Sequence, residues 1–341
     1  MALAKTCFVT GGSGFIGANL IHVLCQRGYA VKALLRPHSD TRGVSGLDFE
    51  RVVGDLADSA VLTRALRGCE YCFHVAASYH LWLRDYRPMY ATNVDGTRNV
   101  IAAAAEAGCR RIVYTSTVGC IGLSKEKNGM VVPTDETTPV SEGQMSNHYK
   151  ISKWRGELVA REFAQRGAPL MIVNPSAPVG PRDVKPTPTG QVIVDFLNRR
   201  LPAYLDTGLN WVDVRDVAVG HVLAAENGRP GERYILGHAG GNWTMKQALD
   251  VMSELTGIPA PSMRVPYRVA WAAAVVNEAF SKVSGRAPRA PLAGVRMARY
   301  KMWFNPAKAI RELGLPQTDP RQALADAIEW FRREGYAKKR V

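Results

Sequence analysis

The chain has 341 residues, of which 46% are hydrophobic and 22% are charged, and its formal net charge is +14. This composition excludes disordered and fibrous proteins and allows one large or two coupled lobes with a substantial core. Because the first predicted strand begins almost at once, and the longest apolar stretch, near 269–276, is far shorter than the ~20 residues that cross a bilayer, we expect a cytoplasmic protein.

The first predicted elements are a strand, a tight turn and a helix. Residues 6–10 form a short β-branched and apolar run, and residues 15–26 have the apolar spacing of a helix that ends before Gly28. The glycines between them let the backbone approach a pyrophosphate, whose charge sits at the helix N-terminus. The pattern predicts a dinucleotide-binding segment with contacts from Gly11, Gly14, Phe15, Ile16 and Gly17.

Arg36 follows the second predicted strand, residues 31–35. An acidic residue at this place binds the ribose 2′-hydroxyl of NAD, whereas an arginine suits the 2′-phosphate of NADP. His38 and Arg42 are available to add positive charge. We therefore expect NADP as the preferred cofactor, with NAD as the other option. The alternative is that Arg36 is an ordinary solvated surface residue.

The middle of the chain keeps alternating between strand and helix patterns. Residues 71–75, 111–116 and 170–173 have strand patterns, and 91–107 has the pattern of an alanine-rich helix. This alternation predicts an α/β fold, a Rossmann doubly wound parallel sheet with helices on both faces. The strand at 111–116 leads into Thr117, and ligands bind beyond the carboxyl ends of such strands, so Thr117 is expected to meet a substrate oxygen.

Tyr149 and Lys153 lie four residues apart on a predicted helix and therefore share one face. An ammonium group near a phenol stabilises the phenolate, and bringing a tyrosine pKa from ~10 toward neutral takes about 4 kcal/mol. We expect Thr117 to orient a carbonyl or alcohol while Tyr149 exchanges its proton and a nicotinamide exchanges a hydride. The alternatives are an exposed helix pair and a threonine that only caps a turn.

Proline and glycine become dense from 174 to 190, which indicates a crossing into a second lobe. We expect residues 1–174 to form a dinucleotide-binding domain whose sheet is completed by 211–237. Residues 175–210 and 238–341 are expected to form a smaller, mostly helical C-terminal substrate lobe. The six cysteines are scattered, and the Cys69-x-x-Cys72 pair has no second pair, so we expect buried free thiols and no metal site.

Positive charge is concentrated near the C-terminus. From 264 to 341 there are 16 basic and 6 acidic residues, and 279–311 holds eight basic residues and no acidic one. An anionic membrane surface or an anionic substrate could bind to this basic region. Nucleic acid is not expected as a partner, because the sequence has no recognised nucleic-acid-binding module. Trp271 and the apolar run around it favour peripheral contact with an anionic membrane at its inner face. A merely solubilising surface is the alternative.

Ordered motifs along nearly the whole chain resemble the extended short-chain dehydrogenase/reductase superfamily. They comprise Gly11–Gly17, Gly54-Asp55-Leu56, His74-Val75-Ala76-Ala77, Asn93-Val94-x-Gly96-Thr97, Thr115-Ser116-Thr117, Tyr149-x-x-Ser152-Lys153, Asn174-Pro175 and 211–218. The resemblance implies that Asp55 and Leu56 lie near the adenine, that Ala76 and Ala77 line the pyrophosphate and ribose, and that Pro175 backs the nicotinamide. It also places Asn93 and Lys153 among the cofactor contacts and Thr117 on the catalytic serine or threonine position.

Within the superfamily, residues 75–82, 174–183 and 185–190 are most similar to the dihydroflavonol 4-reductase-like branch, and within it to hopanoid-associated sugar epimerases. Asn174 replaces the arginine that many relatives carry before the proline. The resemblance implies an oxidoreductase or epimerase acting on a carbonyl or secondary alcohol, and a homodimer formed through the Tyr149 helix. A 3β-hydroxysteroid dehydrogenase-like enzyme with a lipid-like substrate and a non-catalytic NADP-sensing protein are alternatives.

The predicted substrate contacts come from one loop and from the second lobe. The loop contributes Ser78, Tyr79, His80 and Trp82. These aromatic residues could instead pack in the core.

Overall fold

The computed structural model describes residues 5–127, 130–284, 288 and 291–337. The strands, numbered in chain order, are β1 (Thr6–Thr10), β2 (Ala30–Leu35), β3 (Glu50–Val53), β4 (Tyr71–His74), β5 (Arg111–Thr115), β6 (Lys125–Lys127), β7 (Met130–Val132), β8 (Leu170–Pro175), β9 (Ala177–Val179), β10 (Tyr204–Leu205), β11 (Gly208–Asp213), β12 (Arg233–Leu236), β13 (Asn242–Thr244), β14 (Arg264–Val265) and β15 (Lys301–Met302). The helices are α1 (Phe15–Gln26), α2 (Ser59–Leu66), α3 (Arg87–Tyr90), α4 (Gly96–Glu106), α5 (His148–Gln165), α6 (Pro188–Leu197), α7 (Val214–Asn227), α8 (Met245–Thr256), α9 (Tyr267–Ser284), α10 (Leu292–Met297), α11 (Ala307–Leu313) and α12 (Pro320–Arg333).

Seven parallel strands form the central sheet in the order β12-β8-β5-β4-β1-β2-β3. The chain adds strands outward from β1 in one direction and then returns to add β4 and its successors in the other. The reversal between β1 and β4 opens a crevice at the carboxyl ends of the strands, where ligands bind in such sheets. The predicted doubly wound parallel sheet is confirmed.

Helices cover both faces of this sheet because successive side chains of a strand point to opposite faces. On β1, Cys7 and Val9 pack into a core with α1, α7 and α11, whereas Phe8 packs into a second core with α2, α4 and α5. All three side chains are fully buried. A strand buried on both faces reads as a continuous apolar run, which is why residues 6–10 are predictable from sequence.

The second lobe is built around a separate, smaller sheet. β11 pairs with β9, β13 and β15, and α6, α8 and α12 pack with this group around a third core. Within the segment 211–237, β12 joins the central sheet and α7 packs on α1, while β11 belongs to this second sheet. Among the described residues, no helix is both long and apolar enough to cross a membrane.

Helix α4 is preceded by a π-helical turn at Ala91–Asp95, so α3, the turn and α4 form one irregular helical segment. The sequence predicts a plain helix over 91–107. A π turn inserts one extra residue and changes the direction of the side chains around it, and such turns are frequent at functional sites. The residue that it redirects here is the buried Asn93.

Candidate functional site

The glycine segment between β1 and α1 forms a tight cradle. Gly11 has a φ of 75°, in the left-handed region, and its carbonyl accepts a hydrogen bond of 2.9 Å from the Gly14 N–H. A Cβ at Gly17 would lie 2.1 Å from the Gly11 carbonyl oxygen, so only glycine fits there. The N-cap of α1 is Gly14, which offers no side chain to the first N–H groups of the helix. Those donors, the positive end of the helix dipole and a side-chain-free surface fit a pyrophosphate.

Residues expected at the adenine end lie together at the carboxyl ends of β2 and β3. Arg36 directly follows β2 and is exposed. The Gly54 N–H donates to the Leu35 carbonyl over 3.2 Å, which brings Asp55 to the same edge. Leu56 is buried, whereas Asp55 is exposed and accepts a 3.1 Å hydrogen bond from the Ala57 N–H. A cationic and an acidic side chain therefore flank this end of the crevice.

Ala76 and Ala77 follow β4, across the crevice from the glycine segment. The Ala76 N–H donates to Thr10 Oγ1 over 3.1 Å. A Cβ at Gly11 would lie 2.7 Å from the Ala76 Cα, so the two backbones are in close contact. Ala77 is exposed toward the opening. The cradle thus has two walls, one from the turn after β1 and one from the turn after β4.

Buried His74 links these walls to the π turn. Its Nε2 lies 3.0 Å from Thr97 Oγ1, and Thr97 Oγ1 donates to the Asn93 carbonyl over 2.8 Å. Since Thr97 uses its proton on that carbonyl, His74 must donate from Nε2 and accept the Thr10 hydroxyl at Nδ1, 2.8 Å away. Burial, with a contribution from the Lys153 charge, lowers the pKa of His74 to about 3, so the ring stays neutral. The sequence motif contains His74 but does not reveal this role.

Asn93 connects the π turn to the predicted substrate loop and to α5. Its side chain accepts from the Ser78 N–H over 2.7 Å, donates to the Ser78 carbonyl over 2.9 Å, and donates to Ser152 Oγ over 2.9 Å. Ser152 in turn donates to the Tyr149 carbonyl over 2.8 Å. Asn93 was predicted as a cofactor contact, and the structure gives it these partners within the protein.

Helix α5 carries Tyr149 and Lys153 into the crevice. Asn147 caps its N-terminus by accepting the Lys150 N–H over 2.9 Å. Lys153 is 2% exposed, and its Nζ donates to the Thr115 carbonyl over 2.8 Å while lying 4.7 Å from the centre of the Tyr114 ring. Burial lowers the pKa of Lys153 to about 8. The ammonium group is thus a buried cation held by a backbone carbonyl.

The Tyr149 phenol differs from the expectation drawn from its spacing to Lys153. Its pKa lies above the ordinary tyrosine value because the phenol is buried, and the neighbouring Tyr79 and Cys120 add to this rise. A hydrogen bond with the Thr117 side chain acts in the opposite direction. The Lys153 ammonium group, on the same helix, donates its hydrogen bond to the Thr115 carbonyl. Tyr149 therefore keeps its proton at neutral pH in this arrangement.

Thr117 stands at the carboxyl end of β5 beside Tyr149. Its hydroxyl accepts a hydrogen bond from the Gly119 N–H over 3.1 Å and so caps a short 3₁₀ turn. The same side chain forms the hydrogen bond with Tyr149 that lowers the pKa of the phenol. Asn174 donates to the Thr117 carbonyl over 2.9 Å and to Glu157 over 3.0 Å. The capping role and the site role therefore coexist in one residue.

Asn174 and Pro175 end strand β8 next to Thr117. Because the Asn174 amide nitrogen makes both hydrogen bonds to oxygen acceptors, the orientation of this amide is defined. Within the described residues, the Asn174 Oδ1 is buried without a hydrogen-bond partner. It is free to accept a hydrogen bond from a bound group. Pro175, predicted to back this ring, pairs with Leu236 of β12.

Glu157 is a site-supporting residue that sequence reasoning missed. Its carboxylate is buried and accepts hydrogen bonds from Ser116 over 2.6 Å and Asn174 over 3.0 Å. Arg161 and Arg233 complete the charge pairing at 2.6 and 3.3 Å. The signal was the four-residue spacing from Tyr149 through Lys153 to Glu157, which places all three on one helix face. Glu157 ties β5, α5 and β8 together behind the reacting groups.

The loop after β4 brings some of the predicted substrate residues to this centre. The Tyr79 ring lies 4.2 Å from the Tyr149 ring, centre to centre, and is 36% exposed, so it forms part of the opening rather than the core. His80 is exposed, and partial burial with a contribution from Lys185 lowers its pKa. Trp82 is half-buried. Leu81 lies against Gly294 of α10, so the second lobe borders the same loop.

One protein family and three individual proteins are similar to this chain. Residues 7–237 match the NAD dependent epimerase/dehydratase family. A Synechocystis protein that carries the working name dihydroflavonol 4-reductase is 45% identical, over 99% of this chain and 98% of its own. Sterol demethylase protein B of Methylococcus capsulatus is 35% identical, over 97% of this chain and 99% of its own. The crystal structure of gox2253 is similar with a TM-score of 0.85 and 44% identity, over 98% of this chain and 100% of that one.

Proposed function

The chain belongs to the NAD dependent epimerase/dehydratase family of extended short-chain dehydrogenases/reductases, and from this premise we propose that it is an NADP-dependent reductase of a carbonyl compound. The observation that carries the proposal is the meeting of Thr117, Tyr149 and Lys153 at the carboxyl end of β5, beside the glycine cradle. A hydroxyl, a phenol and an ammonium group around one opening suit a substrate oxygen that gains a proton.

Each of these residues has a distinct task in the proposed reaction. A bound nicotinamide cofactor would supply the hydride. Thr117 hydrogen-bonds the substrate oxygen and sets its direction toward Tyr149, and Tyr149 donates the phenolic proton to that oxygen. Lys153 stabilises the phenolate left behind and is itself kept in place by the Thr115 carbonyl. Asn174, through its free Oδ1, and Pro175 are the residues proposed to hold the nicotinamide end.

The protonated form of Tyr149 is the form that carbonyl reduction requires. Burial raises the pKa of this phenol, so at neutral pH the residue holds the proton that a carbonyl reduction consumes. The ammonium group of Lys153, with a pKa of about 8, is charged at the same pH. The pair is therefore set for proton delivery near pH 7.

The proposed preference for NADP rests on Arg36, which is exposed at the end of β2 and lacks an ion-pair partner within the described part of the chain. We expect NADPH to bind about ten- to a hundredfold more tightly than NADH, since a charge-assisted phosphate contact contributes about 1.5 to 3 kcal/mol. Arg36→Ala should reduce the difference between the two affinities by weakening NADPH binding alone. Calorimetric titration of the wild type and the variant with both cofactors measures these affinities.

Arg67→Ala is the matched control for Arg36→Ala, because Arg67 is an exposed arginine at the end of α2, before β4 begins. It should leave both affinities unchanged. Equal affinity for the two cofactors in the wild type, or an NADH preference that Arg36→Ala does not alter, would show that Arg36 makes no contact with a 2′-phosphate.

We further propose a lipid-like substrate. A relative named for sterol demethylation is 35% identical along nearly the whole chain, and the opening is bordered by the apolar second lobe through the Leu81 contact with α10. This class includes the 3β-hydroxysteroid-like substrate and the hopanoid-linked role that the sequence suggests. It also accords with a cytoplasmic enzyme that touches the inner face of a membrane.

Absorbance at the reduced nicotinamide band tests the proposed function directly. Purified protein with NADPH is offered soluble ketones, keto-steroids and keto-sugars, and a reductase consumes NADPH in step with product. An epimerase would interconvert two alcohols with no net change in the absorbance, because the same cofactor returns the hydride. Tight NADPH binding without turnover of any of these classes would point to a cofactor-sensing protein and contradict the proposal.

We propose that residues 1–174 act as the dinucleotide-binding domain and that 175–210 with 238–341 act as the substrate lobe. We also propose a homodimer formed through α5, on which Leu158 is 43% exposed. An exposed apolar residue of this size on a helix suits a subunit interface. Sedimentation velocity of the wild type and of Leu158→Arg tests it, and a monomeric wild type would rule the dimer out.

A further inference from the structure

Helix α9 carries an apolar surface that the proposed chemistry does not use. Of the ten large apolar side chains that are exposed in the described part of the chain, six lie between residues 263 and 300. On α9, Val276 and Phe280 are 70% and 67% exposed, and Val269 is 59% exposed. Patches of this kind mark interaction surfaces rather than ordinary protein surface.

These side chains form one continuous face because their spacing follows the turns of the helix. This face, called the apolar α9 face below, is open on its outer side. It consists of Val269, Ala272, Ala273, Val276 and Phe280, with Asn277 as its polar member. On the opposite side of the helix Ala274 and Ser281 are buried, and α10 packs against α9. The fold thus covers one side of α9 and leaves the apolar side open.

Exposed basic side chains lie on α9 and on the segment around α10 that packs against it. Arg268 is exposed one turn before Ala272, Arg296 is exposed on α10, and the exposed Arg299 lies 5.9 Å from the Tyr267 ring at the start of α9. None of these three arginines has an ion-pair partner among the described residues. The acidic residue of α9, Glu278, is turned to α10, where its carboxylate accepts the Leu292 N–H over 3.3 Å. Helix α9 and the segment around α10 therefore carry exposed positive charge that no described acidic residue pairs with.

We propose that the apolar α9 face is a docking surface for an anionic lipid bilayer. An interfacial helix gains by burying an apolar face at the boundary between headgroups and acyl chains, and arginines beside it gain from anionic headgroups. A second copy of this chain fits less well, since a two-fold contact through this face would bring the unpaired arginines of both copies together. An anionic bilayer therefore accounts for both the exposed apolar face and the unpaired arginines.

Docking through the apolar α9 face would also help a lipid-like substrate to reach the active site. α10 lies against Leu81, within the loop whose Tyr79 covers Tyr149, so the docked face and the opening belong to adjacent elements. A lipid-like substrate could pass from the bilayer to this opening with little exposure to water. This consequence for substrate access rests on the proposed function, whereas the docking itself does not.

Sedimentation of the full chain with lipid vesicles tests the docking surface. Vesicles of phosphatidylcholine alone are compared with vesicles of phosphatidylcholine mixed with phosphatidylglycerol, and only the mixed vesicles should bind the wild type. Val276→Ser combined with Phe280→Ser should abolish most of this binding. Arg268→Glu combined with Arg299→Glu should lower the binding constant by about 25-fold or more, since each basic residue near an anionic surface contributes about fivefold.

Matched controls separate the surface from general effects of charge and polarity. Arg64→Glu combined with Arg67→Glu makes the same charge change at exposed positions of α2, and Val53→Ser changes an apolar residue that is 52% exposed on β3. Both should bind mixed vesicles like the wild type. Circular dichroism and NADPH-linked turnover of a water-soluble ketone should be unchanged in the α9 variants, which shows that they are folded.

Absence of binding to mixed vesicles, or binding that the α9 variants retain in full, would overturn the proposal. A concentration-dependent dimer that Val276→Ser with Phe280→Ser dissociates would also overturn it, in favour of a second copy on this face. Vesicle binding by a protein that reduces no ketone would leave the docking surface intact and remove the reductase proposal instead.

Discussion

Replacing Tyr149 by phenylalanine is expected to lower kcat by about 10²- to 10⁴-fold while NADPH affinity and thermal stability stay close to those of the wild type. The phenol supplies the proton to the substrate oxygen, and phenylalanine removes that proton but keeps the ring that packs 4.2 Å from Tyr79. Steady-state kinetics, calorimetric titration with NADPH and a thermal melt measure the three quantities.

Tyr79→Phe is the matched control for Tyr149→Phe, because Tyr79 belongs to the same ring pair but follows β4 and lies at the opening. It should change KM more than kcat. Near-wild-type kcat in Tyr149→Phe would remove this residue from proton transfer, and an equal loss of kcat in both variants would show that the Tyr149 hydroxyl has no role that the Tyr79 hydroxyl lacks.

Lys153→Met is expected to lose turnover and cofactor affinity together. Methionine has a similar length but no charge, so the phenolate of Tyr149 loses its stabilising cation and the Thr115 carbonyl loses its donor. Lys153 is also a predicted cofactor contact. Kinetics and calorimetric titration should show a fall in kcat of at least about a hundredfold and weaker NADPH binding.

The same substitution should not destabilise the fold at neutral pH. The folded-state pKa of Lys153, about 8, is below the ordinary lysine value of 10.5, so burying the charge opposes folding by about 3 kcal/mol at every pH below 8. This penalty disappears as the pH rises from about 8 to 10.5. Methionine removes the penalty and loses one hydrogen bond, so the free energy of unfolding at pH 7 should be unchanged or higher.

Lys150→Met is the matched control, since Lys150 is a buried lysine one residue after Tyr149 on the same helix, and burial lowers its pKa as well. It should keep cofactor affinity and most turnover. Normal NADPH binding by Lys153→Met would contradict the predicted contact of Lys153 with the cofactor. A large loss of stability that Lys150→Met does not share would contradict the argument from the buried charge.

Much of the central fold was predictable because its strands are buried on both faces and its turns are rich in glycine. The strand at 6–10 and the helix at 15–26 have the predicted bounds, since an apolar run followed by Gly11 and Gly14 allows few other structures. The meeting of Thr117 with the Tyr149 helix was predictable from the rule that ligands bind at the carboxyl ends of parallel strands.

Other features depend on contacts between distant segments and leave no periodic signal. The π turn at 91–95 interrupts a sequence with good helical character, and it positions Asn93 against Ser78 and Ser152. Likewise, burial beside Tyr79 raises the pKa of Tyr149, and Lys153 donates to the Thr115 carbonyl, and neither contact follows from a four-residue spacing. Helical spacing places two residues on one face but does not say which acceptor a long side chain reaches.

The hydrogen bond that holds Lys153 goes to a peptide oxygen, and this has a consequence for how the site tolerates mutation. A substitution at position 115 would change the side chain there but leave the carbonyl that receives the ammonium group in place. The carbonyl is located by the pairing of Thr115 with Val173 in β8, that is, by the register of the buried sheet. A one-residue slip of β5 would displace it and turn every side chain of the strand to the opposite face. The hydrogen-bond acceptor of Lys153 therefore stays in place as long as the register of β5 in the sheet is kept, whichever side chain that register allows at position 115.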